Sequence, residues 1–171
     1  MGFPGVRARK QIGRVGESPQ DLEQARDHNM ALSTLVYVSV AARPQTEDDL
    51  EKLLTFARAN NSKHSITGML LYRDGLFVQA LEGEQEDIQA LFEKIKVDKR
   101  HRNVTKIHFR PIKERSFGDW SMGFVSPKDD DLKQIEGYSD FLEHPSIEYF
   151  GKKPGYAQAL LENFRVGYFL S

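Results

Sequence analysis

Two apolar runs in the middle of the chain, Ile66 to Tyr72 and Leu76 to Glu82, are separated only by Arg73-Asp74-Gly75. Asp and Gly tolerate the positive φ that a tight turn between twisted antiparallel strands demands, so this spacing predicts a β-hairpin. A lone hairpin buries too little to be stable, and the flanking sequence supplies what it lacks. Upstream, Leu35-Val36-Tyr37-Val38-Ser39-Val40 is a β-branched and aromatic run, hence another strand. Thr46-Glu47-Asp48-Asp49 follows as a helix N-cap with acids in the first turn, and Leu50, Leu53, Leu54 and Ala57 continue at helical spacing. Asn60-Asn61-Ser62 reads as the end of that helix. A second helix over about 84–97 carries Ile88, Leu91, Phe92 and Ile95 on one face. Val104 to Ile112 reads as a fourth strand and Met122 to Val125 as a short fifth.

This order predicts an α+β fold, a ferredoxin-like βαββαββ sandwich whose mixed sheet carries two helices on one face. The opposite face needs a cover. Ala157, Leu160, Leu161 and Phe164 form a further helical stripe, and Asp129 to Gly137 is a candidate short helix, so C-terminal helices are expected to cap it. The expected division is a disordered N-terminal extension over 1–29, a ligand-binding domain over 30–126, and a helical cap over 127–171. Residues 1–29 are Gly- and charge-rich with little periodicity, which underlies the first boundary.

Composition narrows the function classes. A net charge of −1 argues against a nucleic-acid footprint, which needs a basic face. With no cysteine, disulfides, thiolate catalysis and iron–sulfur clusters are excluded. The five histidines are scattered, with no pair at metal-ligand spacing. No apolar stretch approaches the ~18 residues of a membrane helix. The basic N-terminal stretch has no apolar h-region, so a cytoplasmic location is expected.

Several side chains are harder to assign to packing. Tyr37 lies mid-strand on the same face as Leu35 and Ser39, and a buried phenol needs a partner. Gln79 is an amide inside Leu76-Phe77-Val78-Gln79-Ala80-Leu81, where an unpaired buried amide costs a few kcal/mol. Its donor and acceptor ends are nearly isosteric, so rotation reverses its hydrogen-bond polarity without changing its shape. Asn60 and Asn61 suit a helix C-terminus. Asp98-Lys99-Arg100-His101 is a charged loop whose plain role is solvation. Trp120, the only tryptophan, and Met122 fall on one face if their segment is extended.

Taken together, Tyr37, Asn61, Phe77-Val78-Gln79-Ala80-Leu81-Glu82-Gly83, Arg100 and Phe117-Gly118-Asp119-Trp120-Ser121-Met122 resemble the BLUF family, blue-light sensors using FAD, over roughly residues 33–125. The resemblance implies non-covalent FAD. Leu53 and Ile95 would press the two faces of its ring, and both amide ends of Asn61 would meet the ring's polar edge, with Asn60 beside it. Asp98 would address the ribityl chain, Arg100 a ring carbonyl, and His101 would lie nearby. It also implies light-driven electron and proton transfer from Tyr37 through Gln79, with Trp120 and Met122 as a two-position switch beside the amide. The chain would then be a photoreceptor and not an enzyme, at least a dimer, signalling through its tail to a separate regulatory protein. Two readings from other classes remain open on the residues alone. One is an acylphosphatase-type enzyme with Arg100 or Arg110 on phosphate and Asn61 orienting water, although Val40-Ala41-Ala42-Arg43-Pro44 makes a poor anion nest. The other is a ligand-free oligomeric adaptor.

Overall fold

The computed structural model describes residues 31–126, 147–152 and 154–168. Its elements are β1 (Leu32–Ala41), α1 (Glu47–Lys63), β2 (Thr67–Arg73), β3 (Leu76–Glu84), α2 (Gln85–Val97), β4 (His101–Pro111), β5 (Gly123–Val125), α3 (Ile147–Lys152) and α4 (Pro154–Tyr168). The expectations for residues 1–29, for a helix over 129–137 and for the Phe164 side chain lie outside the described residues.

The hairpin forms as the sequence predicts. Arg73 pairs with Leu76, leaving a two-residue loop in which Asp74 (φ 47°) and Gly75 (φ 82°) are both left-handed. That is the turn whose twist matches the flanking strands. The five strands run β4-β1-β3-β2-β5. β1 pairs antiparallel with β3 and β4, and β2 antiparallel with β3; only β5 pairs parallel, on the free edge of β2. This is the mixed α+β ferredoxin-like sheet.

Strand alternation divides the core into two layers. Leu35, Tyr37, Leu70, Phe77 and Leu81 face α1 and α2, meeting Leu50, Leu53 and Leu54 of α1 and Ile88 and Phe92 of α2. Val36, Val38, Met69, Leu71, Val78 and Ala80 face the other way, against Phe150 of α3 and Ala157, Leu160 and Leu161 of α4. Phe150, Leu160 and Leu161 are fully buried, each transfer contributing about 1.5–3 kcal/mol.

α1 begins where its sequence says it should. Thr46 caps it, with Asp49 completing a reciprocal capping box. Its end differs from expectation: the helix continues through Asn60 and Asn61 to Lys63. His64 is the C-cap and Ser65 takes the left-handed conformation (φ 51°). Asn61 is therefore not the cap; its side chain is buried and has other work.

Candidate functional site

The sheet brings Tyr37 and Gln79, 42 positions apart in the chain, face to face. Tyr37 of β1 lies directly opposite Gln79 of β3, and Gln79 directly opposite Leu70 of β2. The β1–β4 register slips between Val36 and Tyr37 and again between Val38 and Val40, so bulges bracket Tyr37. Such irregularities re-aim side chains and recur beside functional sites.

The Tyr37 hydroxyl donates to Gln79 Oε1, and Gln79 Nε2 donates to Met122 Sδ at 3.2 Å. Both ends of the amide are thus engaged, but unequally, because a thioether is a weak acceptor. Burial, followed by the nearby Asp98 charge, holds the Tyr37 phenol well above its ordinary pKa, with Arg100 opposing in part. The phenol stays protonated at neutral pH and serves as a donor.

Above this pair lies a cavity of about 320 Å³ between α1 and α2, within the range of small-molecule sites. Tyr37, Gln79 and Leu70 form its floor. Leu53 and Ala57 of α1 and Leu91 and Ile95 of α2 supply apolar walls, and Asn60, Asn61, Asp98, Arg100 and His101 supply a polar rim. Nine residues singled out from sequence therefore converge on one cavity: Tyr37, Leu53, Asn60, Asn61, Gln79, Ile95, Asp98, Arg100 and His101. Apolar walls with amides at the edge fit a flat heteroaromatic ring that carries its polar groups along one side.

The rim carries its own structure. Arg100 binds both Asp98 carboxylate oxygens, at 2.6 and 3.1 Å, and the pair holds the Asp98 carboxyl below its usual range. The Arg100 guanidinium also sits 5.9 Å from the ring centroid of the exposed Phe56. Ser39 Oγ and His101 Nδ1 share a hydrogen bond of 2.9 Å. Burial depresses the His101 pKa, which favours the neutral imidazole at pH 7.

One expectation is corrected. Trp120 and Met122 do not share a face. Their segment is turned, not extended: Trp120 N–H bonds back to Phe117 O at 3.2 Å. Met122 is buried on the Gln79 side, while Trp120 packs on the opposite layer with Met69. Gly123 makes this possible, since a Cβ there would stand 2.7 Å from both Met69 Sδ and the Trp120 ring. Asn61 is tied at one end, because one of its two Nδ2–H donors goes to Ser121 O at 2.8 Å. Oδ1 and the second Nδ2–H remain.

Sequence reasoning missed Arg58, whose Nε donates to Met122 O at 2.9 Å. Arg58 and Asn61 stand one helical turn apart and hold consecutive carbonyls of the same segment. The signal was that i, i+3 spacing on an otherwise polar face. Phe56 and Lys94 at the cavity were also missed; Phe56, 66% exposed, lies off the apolar stripe of α1. Among the described residues no cluster of His, Cys, Asp or Glu is arranged to hold a metal ion, and no helix is long and apolar enough to cross a membrane.

Comparison with known proteins agrees with this geometry. The family model for sensors of blue-light using FAD, BLUF, matches residues 32–123. The photoactivated adenylate cyclase subunit beta of Euglena longa is 44% identical over 92 residues, 53% of this chain and 11% of that protein. The subunit alpha of Euglena gracilis is 46% identical over 87 residues, 51% of this chain and 8% of that protein. The chain thus spans about a tenth of the length of these curated relatives. Among solved structures, the BLUF protein BlrB in its dark state superposes with a TM-score of 0.59 at 31% identity, covering 67% of this chain and 84% of that one. BlsA in its photo-activated state gives 0.60 at 32% identity, covering 77% and 94%.

Proposed function

Since the chain belongs to the BLUF family of blue-light sensors that use FAD, we propose that it converts absorbed light into a rearrangement of the Tyr37–Gln79–Met122 hydrogen-bond chain. The observation that carries this reading is the arrangement of that chain: a protonated phenol, a two-ended amide and a weak thioether acceptor, linked in series and buried at the floor of a flavin-sized cavity. Leu53 and Ile95 would hold the ring faces, and Asn60, Asn61 Oδ1, Arg100 and His101 its edge, with Asp98 fixing Arg100. When bound, the flavin absorbs blue light and takes up and returns one electron.

The protein groups do the rest. Tyr37 supplies an electron while its proton moves along the existing bond to Gln79 Oε1, and it recovers both on recombination. The amide is left as a new rotamer or tautomer, and Met122 Sδ loses its donor. That disturbs a segment held tightly at Ser121 and Met122 by Asn61 and Arg58. The same segment begins at Ser116 and Phe117, whose backbone N–H groups bind the Glu82 carboxylate, and Ser116 Oγ donates to Glu162 of α4 at 3.1 Å. We place the output surface on α4, facing a second copy of the chain or a separate regulator. Two populations of one element, biased by a local bond change, suffice for such a switch.

The test is an absorption spectrum of the purified protein in the dark and under blue light. A flavin spectrum with a reversible red shift is expected; a colourless protein, or a flavin spectrum that light leaves unchanged, contradicts the proposal.

A further inference from the structure

The segment that carries Met122 offers three consecutive backbone carbonyls, and each is held from a different place. Gly68 N–H of β2 donates to Trp120 O at 3.1 Å, Asn61 Nδ2 to Ser121 O at 2.8 Å, and Arg58 Nε to Met122 O at 2.9 Å. Gly68 and Asn61 are buried, whereas Arg58 is an exposed residue of α1. Arg58 lines none of the ring cavity. It borders a separate depression of about 350 Å³, together with Met69, Trp120, Met122 and Phe124. The segment therefore has open space on that side, and Arg58 reaches across from α1 to hold it. A guanidinium donor is charged, which makes this bond stronger than one from a neutral amide.

The carbonyl that Arg58 holds belongs to the residue whose thioether accepts from Gln79. Met122 Sδ lies 3.2 Å from Gln79 Nε2, and a thioether is a weak acceptor, so this bond depends closely on where the Met122 backbone stands. We infer that Arg58 is a positioning residue for the return from the lit to the dark state: by fixing Met122 O it keeps Sδ where the Gln79 amide turns back to it, and so sets the lifetime of the lit state. The inference rests on the Gln79 rearrangement proposed above. The Arg58 bond takes no part in that rearrangement, so it persists while Nε2 is away from Sδ, and the acceptor stays in place. Without Arg58 the Met122 backbone relaxes toward the depression, and the returning amide finds its acceptor displaced. The dark arrangement is then less favoured and recovery slows.

The experiment follows the decay of the red-shifted absorption of the flavin-loaded full chain after blue light is switched off. Arg58→Met keeps the apolar stem and removes the donor. Flavin occupancy and formation of the red shift should be retained, while recovery slows about two- to tenfold, the rate ratio that one net hydrogen bond is worth. Arg58→Lys, which keeps a charged donor, should recover within about twofold of the unaltered chain. In a Met122→Leu background, which has no Sδ to position, adding Arg58→Met should leave the recovery rate unchanged. An unchanged or faster recovery in Arg58→Met, or no rescue by Arg58→Lys, would overturn the inference. Equal slowing in the Met122→Leu background would also overturn it, assigning the effect to general loosening of the segment. Loss of flavin from Arg58→Met would do the same, placing Arg58 in the binding site. A normal red shift with these recoveries alike removes the inference alone; no reversible red shift in the unaltered chain removes the Gln79 reading and the inference together.

Discussion

Asn61→Ala tests whether Asn61 is a structural tether as well as a cavity-lining amide. Asn61 is 1% exposed, and its Nδ2 lies 2.8 Å from Ser121 O. Removing the donor strands a carbonyl that water reaches poorly, a loss of about 1–3 kcal/mol. Arg58 still holds Met122 O, so the segment stays attached by half its anchoring to α1. For a chain of this length each kcal/mol is worth roughly 2–4 °C, so the flavin-free variant should melt roughly 2–12 °C lower. Thermal and urea unfolding of the flavin-free chain measure this without the stabilisation that a bound ligand adds. A double-mutant cycle with Arg58→Ala should show coupling of at least about 0.5 kcal/mol, because both side chains hold one segment. An Asn61→Ala apoprotein within about 0.5 kcal/mol of the unaltered chain would refute the tether. Asn61 would then act on a ligand alone.

Three further outcomes follow from the same geometry. Tyr37→Phe removes the donor to Gln79 Oε1 and the group to be oxidised, so flavin should stay bound while the light-minus-dark difference spectrum vanishes; a normal difference spectrum would exclude Tyr37. Glu82 is buried, and burial raises its carboxyl pKa even though the Phe117 and Ser116 N–H groups and the Arg115 charge oppose the shift. A raised native pKa means that the native state binds more protons, so the contribution is present below the unfolded value of about 4.3 and is lost as pH rises through the native one. The urea midpoint of the unaltered chain should therefore fall relative to Glu82→Gln as pH rises above about 4.3, and parallel pH profiles would contradict the assignment. If α4 carries the output, its amides should exchange hydrogen faster under blue light than in the dark; equal rates, with changes elsewhere, would move the output surface.

The fold was legible because its local signals agree. The Asp74-Gly75 turn, the Thr46 cap and the two apolar stripes each act within a few residues, and together they leave little choice of topology. Tyr37 and Gln79 stood out as polar side chains inside apolar strands, while their facing, with Leu70 opposite Gln79, came only with the inter-strand register. The 117–122 segment was not legible. Trp-x-Met satisfies an extended pattern, but Gly123 lets the chain turn and sends Trp120 to the other layer, a close approach visible only in three dimensions. Asn61 looked like a cap because Asn suits one; its long-range bond to Ser121 leaves no trace in local sequence.

The central claim is that the Gln79 amide is the light-sensitive element, and Gln79→Leu tests it most directly. Leucine keeps the size of the side chain but removes both the acceptor for Tyr37 and the donor to Met122 Sδ. The measurement is the light-minus-dark absorption spectrum of the flavin-loaded variant beside that of the unaltered chain. The account predicts full flavin occupancy in both, with a reversible red shift in the unaltered chain and none in the variant. A red shift of normal size in Gln79→Leu would contradict it.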